Sequence, residues 1–280
     1  MDRPLERNRR EDARTAVEAP AVELAGVGLR FGSFTAVRGV DLTVPPGEFT
    51  AIVGPTGCGK SSLLNLVAGL LGASEGRVHV FGHQVAAVNR EAAYMFQQDA
   101  LLPWKSAVDN VALGPRMRGV RRDEADREAR AWLRRVGLEG FEDRFPHQLS
   151  GGQRKRVAMA QALINRLPLL LMDESFSALD VQTRALMENE LLGLWAELKP
   201  TVLFVTHDLE EAIAMADRVV LMTAGPAATV KADYEVPLPR PRNVAEARFT
   251  PGFEELYGRI WEDLRAEVMR TYERSREQAS

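Results

Sequence analysis

Cysteine is almost absent from this chain. Cys58 stands alone among 280 residues, so no disulfide can close within the chain and a reducing compartment is expected. Long apolar runs are missing too. None reaches the ~18–20 residues that a spanning helix needs, and the longest, at 63–71 and 167–172, are short or broken by polar residues. A membrane span is therefore not expected, although a membrane partner stays open. Net charge is only −3, with a pI near 5.9. That excludes a whole-protein basic field for nucleic acid and leaves room only for a local patch. No internal repeat is visible. Residues 1–20 lack the apolar segment of a signal peptide. Their five Arg (3, 7, 9, 10 and 14) and five acids (2, 6, 11, 12 and 18) read as a mobile tail.

What is present is the composition of a folded protein. The hydrophobic share is 45% and the charged share 27%, against global disorder. At ~150 residues per domain, the length suggests about two domains or one large divided one. Residues 22–31 and 36–44 read as short strands, followed by a Pro45-Pro46-Gly47 turn. The apolar, β-branched run 49–53 suits a strand buried on both faces. A Gly-rich loop follows, then a helix over 61–71. Strands are expected again at 77–81, 93–97, 169–172, 201–205 and 218–222, with helical patterns between the last three. Such alternation argues an α/β fold with a parallel sheet.

A helical insert, about 101–168, interrupts that sheet. Within it Ala129, Trp132, Leu133 and Val136 recur at helical spacing, so 123–136 reads as an amphipathic helix, with Gly137 placed to cap it. Its Arg and Glu read as a solvated face. Residues 150–164 form a second helical stretch. Pro237, Pro239 and Pro241 mark an extended connector. Thr250 and Pro251 then signal a helix start, and Phe253, Leu256, Tyr257, Ile260, Trp261, Leu264 and Val268 share one face. Packing on the chain's own core and contact with a partner are the two readings of that face.

Gly54-Pro55-Thr56-Gly57-Cys58-Gly59-Lys60-Ser61 matches GxxxxGK[ST] in full, between a buried strand and a helix. Glycines let the backbone curl so that successive N–H groups face phosphate oxygens, and the helix N-terminus adds partial positive charge. Lys60 supplies a full charge for the β- and γ-phosphates, and Ser61 a hydroxyl for Mg²⁺. ATP with Mg²⁺ is the expected ligand. Cys58 either lends only its backbone or is a low-pKa thiol in an electropositive loop. The strand at 169–172 ends in Asp173-Glu174. Asp173 suits water-mediated Mg²⁺ binding, and Glu174 is placed to polarise an attacking water.

Leu149-Ser150-Gly151-Gly152-Gln153 precedes that strand and opens a helix. Locally it reads as a Ser-capped start with a Gly-Gly turn. It also resembles the signature motif of ATP-binding cassette (ABC) ATPases. Ser177-Ala178-Leu179-Asp180 resembles the D-loop of that family. Thr206-His207-Asp208 resembles its switch histidine, and Phe96-Gln97 its Q-loop, where Gln98 leaves the register open by one. Phe31 resembles the aromatic that stacks on adenine, the other reading being a core residue. All motifs stand in family order over about 22–231.

The resemblance implies an ABC ATPase fold: a P-loop core with a parallel sheet, an N-terminal antiparallel β portion and an inserted helical subdomain. The ATPase domain would span 21–235, with a connector and C-terminal helix over 236–280. It also implies a head-to-tail homodimer trapping two ATP. Lys60 and Asp173 of one protomer would meet Ser150 and Gly152 of the other, with Gly151, Gln153 and Asp180 beside them. Glu174, His207 and Gln97 would be catalytic, and Ser61, Gln97 and Asp173 would hold Mg²⁺. Three departures stand out: Ser175 in place of the usual Pro, Gln161 where Arg is frequent, and Ser62 for a Thr, which keeps the hydroxyl at the nucleotide.

Other segments are similar to a narrower group, the importer ATPases for nitrate, sulfonates and taurine. They are Gln98-Asp99-Ala100-Leu101-Leu102-Pro103-Trp104, Met222-Thr223-Ala224-Gly225-Pro226, and the Pro-rich 237–242 stretch before the tail helix. Permease subunits, an extracytoplasmic solute-binding protein and a place on the cytoplasmic face of the membrane follow from that similarity. Nucleic acid is not an expected partner. Trp104 would face the permease, or else pack inside the insert. Importers of other small molecules, such as pyrimidine vitamin precursors, stay open. So do a non-transport ATPase acting on ribosomes or DNA and a nucleotide-binding module without turnover. Ser150 follows Lys60 by 90 residues, too few for the coiled-coil arm of the DNA-repair type.

Overall fold

The computed structural model describes residues 19–279. Nearly all of the tail expected at 1–20 lies outside the described residues. Strand β1 (Val22–Phe31) pairs antiparallel with β2 (Phe34–Val44), Val22 opposite Val44. Strand β3 (Phe49–Val53) is buried throughout and runs through the 54–59 loop into α1 (Lys60–Val67). Strands β4 (Glu75–Val80) and β5 (His83–Gln84) complete an antiparallel sheet in the order β2-β1-β4-β5. After β6 (Ala92–Met95) the chain turns helical: α2 (Ala107–Val111), α3 (Leu113–Met117), α4 (Arg122–Arg135), a short 3-10 turn at Pro146–Gln148, and α5 (Gly151–Leu163). It then alternates as β7 (Leu169–Asp173), α6 (Val181–Leu198), β8 (Thr201–Val205), α7 (Leu209–Met215) and β9 (Arg218–Met222). Strand β10 (Val230–Glu235), α8 (Val244–Ala247) and α9 (Phe253–Ala279) close it.

The second sheet has the order β10-β9-β3-β8-β7-β6, all parallel except β10. Its strands alternate between two cores, as a period of two requires. Leu170, Met172, Val202 and Phe204 face the helical insert, α6 and α7. Leu169, Leu171, Leu203 and Val205 face α1 and the antiparallel sheet. With both faces covered, a polar residue at either phase would cost about 2 kcal/mol or more unless hydrogen-bonded. That is why these strands read as unbroken apolar runs.

Several expected boundaries move for identifiable reasons. The helix after the Gly-rich loop stops at Val67 instead of 71, because Gly69 (φ 68°) passes so close to Ala87 that a methyl there would lie 2.0 Å from its carbonyl oxygen. The last helix begins at Phe253 and not at Pro251. Gly252 sits at φ 88°, and the Phe253 N–H closes a turn on the Thr250 carbonyl at 3.1 Å. Its inner face is Phe253, Leu256, Ile260, Leu264 and Glu267, all buried, while Trp261 and Val268 are each a little under half exposed. In the insert, Ala125, Ala129, Trp132, Leu133 and Val136 are buried. The fully buried Asn110 side chain bonds Leu102, Lys105 and Ser106 backbone groups, fixing the 101–106 loop and leaving Trp104 70% exposed.

Candidate active site

Strands β3, β8, β7 and β6 are neighbours and run parallel, so their carboxyl ends coincide. Ligands of open α/β sheets bind at that edge. Past β3 comes the 54–61 loop, past β8 comes His207, at the end of β7 come Asp173 and Glu174, and past β6 comes Gln97. Ser61 and Asp173, 112 positions apart in sequence, and Gln97 and Glu174, 77 apart, thus stand side by side.

The 54–61 loop curls around its own lysine. Lys60 is buried, and its ammonium donates to the carbonyls of Gly54 at 2.9 Å and Pro55 at 3.1 Å. Gly59, just before it, has φ 96° and rests on Val37, where a methyl would come within 2.6 Å of Cγ1. Thr56 and Gly57 are exposed at the lip of the loop, and Ser62 is half-buried in the first turn of α1. The Ser61 hydroxyl donates to Asp173 Oδ1 at 2.8 Å, and the Tyr94 hydroxyl to Asp173 Oδ2 at 3.4 Å. Burial raises the Asp173 pKa, against the Ser61 bond that lowers it, and Glu174 adds to the rise. Two hard oxygens side by side suit Mg²⁺, which keeps waters and substrate oxygens for its remaining positions. Among the described residues no group of three or more His, Cys, Asp or Glu forms a metal cage, so the site offers an oxygen pair rather than a full shell.

Glu174 is the meeting point. Its Oε2 accepts from Gln97 Nε2 at 3.1 Å and lies 3.2 Å from His207 Nδ1. Its backbone sits at φ 43°, a left-handed conformation costly for a non-glycine residue. Its N–H donates to the Val205 carbonyl at 2.9 Å, which ties it to the end of β8 beside His207. Ser175 is fully buried, and its hydroxyl donates to the Met95 carbonyl at 3.0 Å. This serine, where the family usually has Pro, ties the end of β7 to β6. Between the two glutamines, the structure brings Gln97 and not Gln98 to Glu174.

Three expected residues sit differently from one of their readings. Phe31 is 50% exposed at the end of β1, not packed in the core. Trp104 does not pack inside the insert. Cys58 is fully buried, and burial pushes its thiol pKa up despite Lys60 nearby, which overturns the low-pKa reading. Native protein should therefore resist thiol reagents at neutral pH and react fully only in denaturant. Fast labelling of the native chain would contradict this placement.

The 150–153 segment bonds to itself. Ser150 Oγ accepts from the Gln153 N–H at 3.2 Å, and Gln153 Oε1 accepts from the Ser150 N–H at 2.9 Å. This capping box is worth ~1 kcal/mol to α5. Among the described residues no hydrogen bond or ion pair joins 150–153 to the 54–61 loop. Gly151 is exposed, and Gly152 faces Thr183, whose Cγ2 a methyl there would approach to 3.2 Å. Asp180 caps α6 through the Thr183 N–H at 3.0 Å, and these bonds lower its pKa.

Sequence reasoning missed a supporting layer. Lys155, buried in α5, reaches the Gln97 carbonyl at 2.8 Å and Asp99 at 3.0 Å, and Arg154 joins Asp99 at 3.3 Å. Helix α5 thereby grips the Gln97 loop. Behind His207, Thr206 bonds Glu211, and the buried Glu188 meets Glu211 carboxyl to carboxyl. Burial, with the Glu211 carboxyl beside it, raises the Glu188 pKa above the usual carboxylate range. Nothing local announces these residues, because each partner lies on a different element.

A family model described as ABC transporter matches residues 37–177. The aliphatic sulfonates import ATP-binding protein of Ralstonia nicotianae is 42% identical over 92% of this chain and 90% of its own length. The taurine import ATP-binding protein of Chromobacterium violaceum is 50% identical over 70% and 75%, and the nitrate import ATP-binding protein of Synechococcus elongatus 42% over 80% and 83%. An ATP-binding cassette solved as a dimer in a post-hydrolysis state with ADP and Pi aligns with TM-score 0.68 at 31% identity, over 77% of this chain and 98% of that one. Matched at this identity over most of its length, and carrying the glycine-curled 54–61 loop, acid pair and histidine on one sheet edge, the chain belongs to the ABC transporter family as one of its ATP-hydrolysing, ATP-binding subunits.

Proposed function

We propose that this chain hydrolyses ATP between two copies of itself and so drives import of a small solute of the nitrate, sulfonate or taurine type. The observation that carries the chemistry is the convergence of Gln97 and His207 on one carboxylate oxygen of Glu174, beside Ser61 and Asp173. In this reading the curled 54–61 backbone, with Ser62, cradles the phosphates, and Lys60 swings from its loop carbonyls to the β- and γ-phosphates. Phe31, exposed at the end of β1, is free to stack on adenine. Glu174 accepts a hydrogen bond from the attacking water, in line with the γ-phosphate, while Gln97 and His207 hold that carboxylate in place. Ser61 and Asp173, with Gln97 near them, would hold Mg²⁺, which supplies neutralisation of phosphate charge.

Ser150, Gly151, Gly152 and Gln153 complete the site from the second protomer. The first turn of α5 offers N–H donors and the positive end of its dipole to a γ-phosphate, and among the described residues the 150–153 hydrogen bonds stay within its own cap and helix. The dimeric relative with ADP and Pi supports this arrangement, and a C2 pair would form both sites symmetrically. Asp180 lies at the same rim. We assign the ATPase domain to 21–235, with 101–168 as its helical insert and 236–280 as connector and tail helix.

Permease subunits, and through them a solute-binding protein outside the cell, are the partners this reading needs. The names of the sulfonate, nitrate and taurine relatives support it. No described helix is long and apolar enough to cross a membrane, so in this reading the chain works peripherally, on the cytoplasmic face. Exposed Trp104, on a loop pinned by Asn110, is the proposed contact with the permease. Trp104→Ala should cut permease co-purification and transport-coupled ATPase at least ~10-fold, as loss of an aromatic anchor does, while basal ATPase stays within twofold. Unchanged assembly would remove Trp104 from the interface. The whole reading is tested by purifying the assembled complex and measuring ATP-dependent uptake of taurine, an alkanesulfonate and nitrate into vesicles. A complex lacking a permease would defeat it.

A further inference from the structure

The tail helix reaches the phosphate loop through a single stretch of chain. Between β9 and β10 the backbone at 222–228 passes directly beneath the 54–61 loop. A methyl on Gly225 would lie 3.2 Å from the Gly57 carbonyl oxygen and 3.5 Å from the Cys58 Cα. A methyl on Gly54 would meet Met222 at 3.1 Å. This stretch is held from two sides. On one, the Ala227 and Ala228 N–H groups donate to Thr35 and Ala36 of β2 at 2.8 and 3.2 Å, next to Val37, which packs on Gly59.

On the other side stands α9. The Glu267 side chain is only 1% exposed, and its Oε2 accepts from the buried Ala224 N–H at 2.9 Å. Its Oε1 is held by Lys231 at 3.2 Å and Arg270 at 2.7 Å. Two turns further on, Arg274 donates to the Gly225 carbonyl at 2.6 Å. A buried carboxylate is expensive unless paired and hydrogen-bonded. Here two cations pair one oxygen, and the other holds a backbone N–H one residue before the glycine that touches the phosphate loop.

We infer that Glu267 and Arg274 are positioning residues for the phosphate loop, so that the seating of α9 sets the affinity of the site for nucleotide. The inference rests on reading 54–61 as the phosphate site. Pulling α9 away frees the 224–225 backbone, and Gly57 and Cys58 lose the surface that keeps their N–H groups curled. The chemistry at Glu174 is untouched, so binding changes and the rate constant of hydrolysis does not.

The test uses the full chain with MgATP, well below the unfolding temperature of each variant. Arg274→Ala and Glu267→Ala should each raise Kd and KM roughly 3–10-fold, the loss of one hydrogen bond that holds the loop, with kcat within twofold. Glu267→Gln keeps an oxygen for the Ala224 N–H and should return Kd to within about twofold of the parent. Unchanged Kd in both alanine variants, with only a lower Tm, overturns the inference. So does a glutamine variant no better than alanine. If Glu267→Ala does not fold, exposed Arg274 near the helix end decides the matter. Lys60→Ala run in parallel separates the two claims. If it binds ATP normally, the phosphate-site reading fails; if it loses ATP while the tail variants bind normally, only the present inference fails.

Discussion

Glu174→Gln should bind MgATP as tightly as the parent chain and hydrolyse it roughly 10²–10³ times more slowly, within the range lost when a positioned base is removed. Glutamine preserves the shape of the side chain and one acceptor oxygen. Gln97 can still donate to that oxygen, and the 3.2 Å contact with His207 survives. What disappears is the negative charge that polarises water. Binding is spared because Glu174 bonds to the ends of β6 and β8 rather than to the 54–61 loop. Equilibrium binding of ATP and a single-turnover measurement of phosphate release check both halves. With ATP bound and uncleaved, the proposed dimer should also persist in gel filtration. Turnover within threefold of the parent would take Glu174 out of the chemistry.

Lys60→Ala should abolish binding rather than hydrolysis alone, raising the Kd for MgATP by about 10² or more. Lys60 is buried, with the neutral Gly54 and Pro55 carbonyls and, at 4.0 Å, the Cys58 sulfur as partners. A phosphate offers that ammonium negatively charged acceptors in place of neutral carbonyls, and a hydrogen bond to a charged group contributes about 1.5–3 kcal/mol. Each ~1.4 kcal/mol net is tenfold in Kd. The alanine leaves the loop curl to its glycines and to Val37, so circular dichroism and Tm should move little. Nucleotide affinity within threefold of the parent would mean that the charge is spent on the loop itself and not on a ligand.

The 54–61 loop was legible because everything it needs is consecutive: eight residues, with a buried strand on one side and a helix on the other. The parallel strands were legible because burial on both faces leaves a continuous apolar run. Strand β10 was not. Val230–Glu235 is an edge strand with only Tyr234 buried, so its Lys, Asp and Glu carry no alternation that would announce it. Gln97 and Gln98 are chemically identical neighbours. Only the pairing of β6 with β7 puts the amide of the first against Glu174. Between the two readings of Cys58 the sequence could not choose, because an electropositive loop lowers a thiol pKa, whereas Val37, Met222 and their neighbours in the core on the α1 side of the sheet bury this one. The meaning of Ser175 lay in the Met95 carbonyl, 80 residues away.

By itself the sequence determined which groups are available: a lysine and a serine on a glycine curl, an Asp-Glu pair at a strand end, a histidine at another, and no apolar stretch long enough to span a bilayer. These depend on neighbours within a few residues, where propensity and periodicity act. Only the tertiary structure decided how the groups meet. It put Gln97 and His207 on one oxygen of Glu174, Lys155 against the Gln97 carbonyl, and α9 against the 222–226 backbone. Hydrogen bonds and burial between elements depend on sheet order and on the approach of surfaces distant in the chain, and no local pattern carries that information.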